Sequence, residues 1–206
     1  MSSIYAMELK TIQSSSIRIL IEALKEILTD TNIIFDTTGI KLVTTDSTKS
    51  VLIHMILYKD KFESYYCKEK IICGVCMLNL FKLIKTINNN DTLTLYIKKN
   101  DMNKLGIIIN NDDKKTQTTY ELNLLDIPNE NMELPPVEFE TELYYPSSDF
   151  QKLIRDMINI GENIEIKSIG ETLVLSCNGD FASQETILEP TSNGLQFMHS
   201  HSAEMP

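Results

Sequence analysis

Glycine is scarce in this sequence, 7 of 206 residues. Loops that cradle phosphates are built from glycine, so a nucleotide-binding loop has little material here. No spaced carboxylate pair and no nucleophile motif of the kind that carries hydrolysis or group transfer is present either. The expectation is a chain that is not an enzyme and needs no cofactor. No run of about 18 apolar residues occurs, and the opening MSSIYAMELK has no charged start followed by an apolar core. Neither a membrane span nor a secretory signal is therefore predicted, and the chain is expected inside the cell. Positive charge is in deficit: 19 Lys and Arg against 29 Asp and Glu leave a net charge of -10. That argues against a surface that binds nucleic acid all over, and it makes the placement of the few cations the informative quantity.

Cysteine is also sparse. Cys67, Cys73, Cys76 and Cys177 lie in apolar or alternating surroundings, which in an intracellular chain favours reduced thiols used as small core residues. Cys73-Gly74-Val75-Cys76 is a CxxC, and His199 and His201 lie near the end. One such pair without a second is a weak zinc signal, and the alternation of 71–75 reads instead as a strand. No metal site is expected.

What is present is a repetition. NIIFDTTGIKLV at 32–43 and NIEIKSIGETLV at 163–174 share the Asn, the following Ile, the Gly seven positions on and the closing Leu-Val. Upstream of each lies an amphipathic helical pattern. At an offset of 130, Leu20 meets Phe150, Leu24 meets Ile154, Ile27 meets Met157, Leu28 meets Ile158, and Lys25 falls opposite Arg155. Each copy therefore reads as a helix followed by a hairpin that turns on Gly39 or Gly170, and the chain reads as an internal duplication. Between the copies, strands are predicted over 51–57, 65–67, 71–75, 93–97, 105–109 and 118–124, with a second helix over 78–87. Few helices and many strands give an α+β class with antiparallel meanders covered on one face by helices. From 121 to 149 the chain is acidic, lacks Lys and Arg, and carries Pro128, Pro135, Pro136 and Pro146, the composition of a linker feeding a strand. The expected division is an N-terminal domain over 1–121, a connector over 122–136 and a C-terminal domain over 137–206. A second copy as long as the first would run to about 260, so the second domain is expected to be incomplete.

The runs SIRILIEALKEIL, TTGIKLVTTDST, FESYYCKEKIICGV, LFKLIKTINNNDTLTL, YELNLLDIPNENMELP and PSSDFQKLIRDMINIGE resemble, in order and spacing, the proliferating cell nuclear antigen family of DNA sliding clamps. The resemblance spans 7–179, and Thr45-Asp46-Ser47, Tyr120-Glu121-Leu122 and 150–161 are its most specific pieces. The Asn, Ile and Lys bias fits an AT-rich genome, as in a large DNA virus or a protist. The resemblance implies the DNA-clamp fold: two similar domains per chain and a homotrimeric ring with sheets outside and helices lining a hole for duplex DNA. It also implies a processivity factor that serves replication and repair, with a DNA polymerase and a separate clamp loader as partners. Its place would be the nucleus, or a cytoplasmic replication factory if viral.

The family's inner-surface positions that keep a positive charge here are Arg18 and Lys25, Lys82 and Lys85, and Lys152 and Arg155. Each pair, at spacing three or seven, shares roughly one helix face. Such residues on a polar helix face are also what solvation alone requires. Ile19 stands where the family often has another cation. The family's groove for partner peptides maps to Leu52, Met132, Leu134 and Pro135, with Thr45 and Ser50 in place of larger apolar residues. Met132 and Leu134 would equally serve to pin an apolar linker. Tyr120 maps to the contact between neighbouring chains, where a buried strand tyrosine would look the same. The rival reading is an interaction protein that does not encircle DNA, either a one-chain processivity factor or a checkpoint-type clamp subunit.

Overall fold

The structure is a computed structural model and describes residues 4–128, 139 and 141–198. It contains two compact units, Met1–Glu133 and Leu134–Pro206. In the first, chain order is β1 (Tyr5–Thr11), α1 (Ser14–Ile27), β2 (Asp30–Asp36), β3 (Gly39–Thr45), β4 (Leu52–Tyr58), β5 (Ser64–Cys67), β6 (Ile71–Cys76), α2 (Met77–Ile84), β7 (Asp91–Lys98), β8 (Asp101–Asn111) and β9 (Thr116–Asn123). A five-stranded antiparallel sheet runs β5-β1-β7-β8-β9, and a four-stranded one runs β4-β3-β2-β6. The period-2 pattern shows why: β2 turns Thr31, Ile33 and Phe35 inward and leaves Asp30 exposed. One core joins both sheets and both helices, with Met7 and Leu93 from one sheet, Phe35 and Leu42 from the other, and Leu24 and Leu80 from the helices.

The second helix ends at Ile84, three residues short of the expected 87. Asn88 explains the stop. Its backbone N–H donates to the Asp91 carboxylate at 2.8 Å, and the Asn111 amide donates to the same carboxylate at 2.5 Å. The chain from 88 to 91 is thereby committed to a turn, because these side-chain acceptors offer the backbone an alternative to helix. Burial pushes the Asp91 carboxyl up, but the Asn88 and Asn111 donors outweigh it and hold it below its ordinary value. Ser14, the first residue of α1, donates its hydroxyl to the Asp91 carbonyl at 2.5 Å, which ties that helix start to the same turn.

The second unit holds β10 (Glu142–Tyr144), α3 (Ser147–Ile158), β11 (Ile164–Ile169), β12 (Thr172–Asn178), β13 (Ser183–Leu188) and β14 (Gln196–Met198). Its sheets are β11-β12-β13 and β10-β14, and its core is a small cluster around Met157, Leu173, Leu175, Cys177 and Leu195. The helix-hairpin repeat is present as α1-β2-β3 and α3-β11-β12, with Leu42 and Leu173 buried at matching places. Both turn glycines have positive φ, +146° at Gly39 and +59° at Gly170. The expected helix register of 130 fails at the last turn: Ile27 is exposed where Met157 is buried, and Leu28 is buried where Ile158 is exposed. An offset of 129 aligns buried Leu28 with buried Met157, and buried Leu24 with the partly buried Leu153. The strands β1, β13 and β14 carry no expectation from the sequence; β4 is shifted by one residue, β9 starts two residues early and ends one early, and β8 runs four residues before and two beyond its expected bounds.

Candidate nucleic-acid interface

The six anticipated cations fall into two groups. Arg18 and Lys25 lie on α1 and are both largely covered, their side chains 25% and 16% exposed. Arg18 Nη1 pairs with Glu22 Oε2 at 3.3 Å, while its Nε is buried without a partner among the described residues. Lys25 pairs with the neighbouring Glu26 and places its Nζ 4.9 Å from the centre of the Phe81 ring on α2. Their charge is therefore largely answered within the fold, and Lys25 is a packing residue of the α1–α2 seam. On α1 the exposed positions include Ile19, Ala23 and Ile27, a four-residue repeat that makes much of its solvent face apolar.

Lys82 on α2 and Lys85 at its C-terminal cap are exposed, as are Lys152 and Arg155 on α3. None of these four has an ion pair among the described residues, and α2 carries no acidic residue. On α3, Asp149 and Asp156 dilute the field. Spacing of three or seven residues does not separate a cation answered within the fold from one that is not.

Leu52 opens β4 opposite Thr45 and is half exposed. The loop beside it, 46–51, is tightly organised around Asp46. The carboxylate accepts from the Thr48 hydroxyl and from the backbone N–H groups of Thr48, Ser50 and Val51, the last two at 2.8 Å. The Thr48 hydroxyl and Val51 N–H lead in holding its carboxyl below the ordinary value. After β9 the chain stays on the first unit: Leu125 N–H donates to Gly74 C=O at 2.8 Å, and the Asn32 side-chain amide donates to Ile127 C=O at 3.1 Å. Asn32 is the repeated Asn of the sequence, and this is its use in the first copy. Met132, Leu134 and Pro135 lie outside the described residues, as do His199 and His201.

Tyr120 lies on β9, the edge strand of its sheet, opposite Ile107, and packs against the first core while remaining half exposed. Next to it Glu121 accepts from Lys98 at 2.9 Å and lies 3.5 Å from Lys104. This charge-paired cluster escaped sequence reasoning because its members come from three strands. Cys73 is fully buried in β6, its thiol pushed up to about 12 by burial, with Cys67 adding to the rise; Cys76, at the entry to α2, is half exposed. Among the described residues no group of three His, Cys, Asp or Glu side chains could hold a metal ion. No described helix is long and apolar enough to cross a membrane.

Two family models match end to end: proliferating cell nuclear antigen, N-terminal domain, over 6–132, and its C-terminal domain over 133–205. The chain is 33% identical over 190 residues to "Probable DNA polymerase sliding clamp 1" of Paramecium bursaria Chlorella virus 1, covering 90% of this chain and 72% of that protein. It is 27% identical over 186 residues to "Proliferating cell nuclear antigen" of Dictyostelium discoideum, with the same two coverages. Its fold is similar to that of the crystal structure of proliferating cellular nuclear antigen from Entamoeba histolytica, with a TM-score of 0.85 at 24% identity, over 95% of this chain and 78% of that one.

Proposed function

This chain belongs to the proliferating cell nuclear antigen family, and from that premise we infer how it works as a DNA sliding clamp in DNA replication. The family implies DNA and polymerase partners and an oligomer, and we take the oligomer to be a homotrimeric ring around duplex DNA. The single observation that carries the mechanism is the set of four exposed cations without ion pairs among the described residues, Lys82, Lys85, Lys152 and Arg155, in a chain of net charge -10. A clamp must hold phosphates without reading bases, and exposed lysines and arginines supply attraction that is indifferent to sequence. Arg18 and Lys25 act less directly: Arg18 adds a weakened positive end to α1, and Lys25 braces α1 against α2.

Two sheet edges support ring closure. The first unit has the edge strand β9, which carries Tyr120, and the second has the edge strand β13, which exposes Ile187. A heterologous contact between two different edges, repeated at a fixed rotation, closes into a ring. The segment 122–136 serves as the connector, Leu52 belongs to the surface that takes partner peptides, and a separate loader opens the ring. No side chain is assigned a catalytic role. The site of action is the nucleus, or a cytoplasmic replication factory in a viral setting.

The test is retention on DNA. The assembled clamp, placed by a loader, should stay on a closed circle and leave a linear duplex by its ends. Retention on the circle should change little with salt, because topological linkage is not an ionic contact. Equal loss from circle and linear duplex would instead favour the one-sided binder.

A further inference from the structure

The first unit carries a cleft of about 580 Å³ that lies apart from α1, α2 and the Leu52 surface. Three lysines rim it: Lys68 and Lys70 from the β5–β6 loop and Lys99 from the β7–β8 turn. All three are exposed, and none has an ion pair among the described residues; Glu69 is the one acid that lines the cleft. The floor includes the partly exposed Ile72 and Met102 and the half-buried Tyr66.

One wall is a partly open sheet edge. β6 is the last strand of its sheet and pairs only with β2. At the head of that ladder Met77 N–H donates to Thr29 C=O at 2.9 Å. Bonded and non-bonded pairs alternate along an antiparallel ladder, so Val75, Cys73 and Ile71 also bond toward β2. Gly74 and Ile72 then turn their N–H and C=O outward. Gly74 C=O is taken by Leu125 at 2.8 Å, and Ile72, two residues along, has no such partner among the described residues. Among the described residues the edge is therefore covered at Gly74 and uncovered at Ile72, beside the lysines.

We propose that this cleft binds an extended acidic peptide segment of a partner protein, which adds a short strand beside Ile72, lays apolar side chains on the Ile72–Met102 floor and sets its carboxylates against Lys68, Lys70 and Lys99. Strand addition to a free edge supplies backbone bonds, and alternate side chains supply specificity. The lysines select an acidic sequence by charge complementarity. A peptide fits better than single-stranded nucleic acid. Stacking platforms offer open aromatic faces, whereas here the floor is mostly aliphatic and Lys68 Nζ lies 6.0 Å from the centre of the single ring, Tyr66.

The experiment is fluorescence anisotropy on the full chain with a labelled peptide of about eight residues, alternating Glu with Val and Ile to match the strand period. A copy of the peptide N-methylated at its central amides and an oligothymidylate of equal charge serve as comparison probes. The peptide should bind. Its affinity should fall at least about tenfold for K68E/K70E/K99E, whose circular dichroism should match the parent because the substituted side chains are exposed. N-methylation should abolish binding, and hydrogen exchange at the Ile72 amide should slow when the unmodified peptide is bound. Absence of binding, equal binding by the triple variant, or equal binding of the N-methylated peptide would overturn the proposal. So would tighter binding of the oligothymidylate that displaces the peptide.

Discussion

Replacing Lys82 and Lys85 together with Ala isolates the clearest phosphate-facing candidates, since both are exposed and neither has an ion pair among the described residues. The perturbation should leave the fold intact, because α2 holds itself in the core through Met77, Leu80 and Ile84. If each lysine neutralises one phosphate, losing it lowers the salt slope of duplex binding by about 0.9. Between about 50 and 200 mM salt that amounts to about 3.5-fold per contact, so about twelvefold for the pair. The assay is anisotropy of a short labelled duplex across that salt range, with R18A/K25A as the comparison. The α1 variant should change the slope less, because Glu22 and Glu26 already answer those charges. It should lose stability instead: removing Lys25 from the Phe81 ring forfeits about 0.5–1 kcal/mol, seen as a lower Tm. A larger slope change from the α1 pair than from the α2 pair would refute the division of the cations drawn here.

The repeated turn glycines should not behave alike. A Cβ on Gly39 would lie 2.0 Å from the Leu57 carbonyl oxygen, whereas one on Gly170 meets nothing within 4 Å. Urea unfolding should therefore show G39A costing at least about 2 kcal/mol and G170A about 1, the price of a left-handed backbone alone. Thiol labelling at neutral pH should reach Cys76 well before Cys73, which is fully buried with its thiol pushed up to about 12; comparable rates would mean that β6 opens locally. Acid should expose the contribution of Asp36. Desolvation raises its carboxyl, but the Lys41 ammonium and the Thr38 hydroxyl and N–H outweigh it and hold the group far below the ordinary carboxylate range. A depressed folded value means a contribution fully present above the unfolded value of about 4 and lost as pH falls below it. D36N should accordingly flatten the fall in stability below about pH 4, and an unchanged acid limb would remove Asp36 from the account.

Local pattern and side-chain partnership were legible to different degrees, and the difference has a physical cause. Alternation is written into neighbouring residues, and β2 is legible through it; Met7 and Leu9 of β1 carry the same signal, but β1 is not anticipated from the sequence. The strand β13 reads SQETIL and has little apolar alternation; it is a strand because six of its residues pair with β12, which is a tertiary fact. The end of α2 depends on Asp91 capturing Asn88, and on Asn111, 20 residues beyond Asp91 in sequence, donating to the same carboxylate. The same holds for the cations. Spacing placed Arg18 and Lys25 on one face, as helix geometry requires. The ring of Phe81, 56 residues from Lys25, lies on the other helix and claims its ammonium. An i,i+4 acid such as Glu22 could have been read beside Arg18 as a partner rather than a diluting charge. The α2 pair needed no such correction, because its helix offers no acid and its lysines have no ion pair among the described residues. A basic bore is thus better judged by the cations whose neighbours leave them alone than by the number of cations on the helices. By that measure α2 and α3, and not α1, are the helices we propose for the DNA contact.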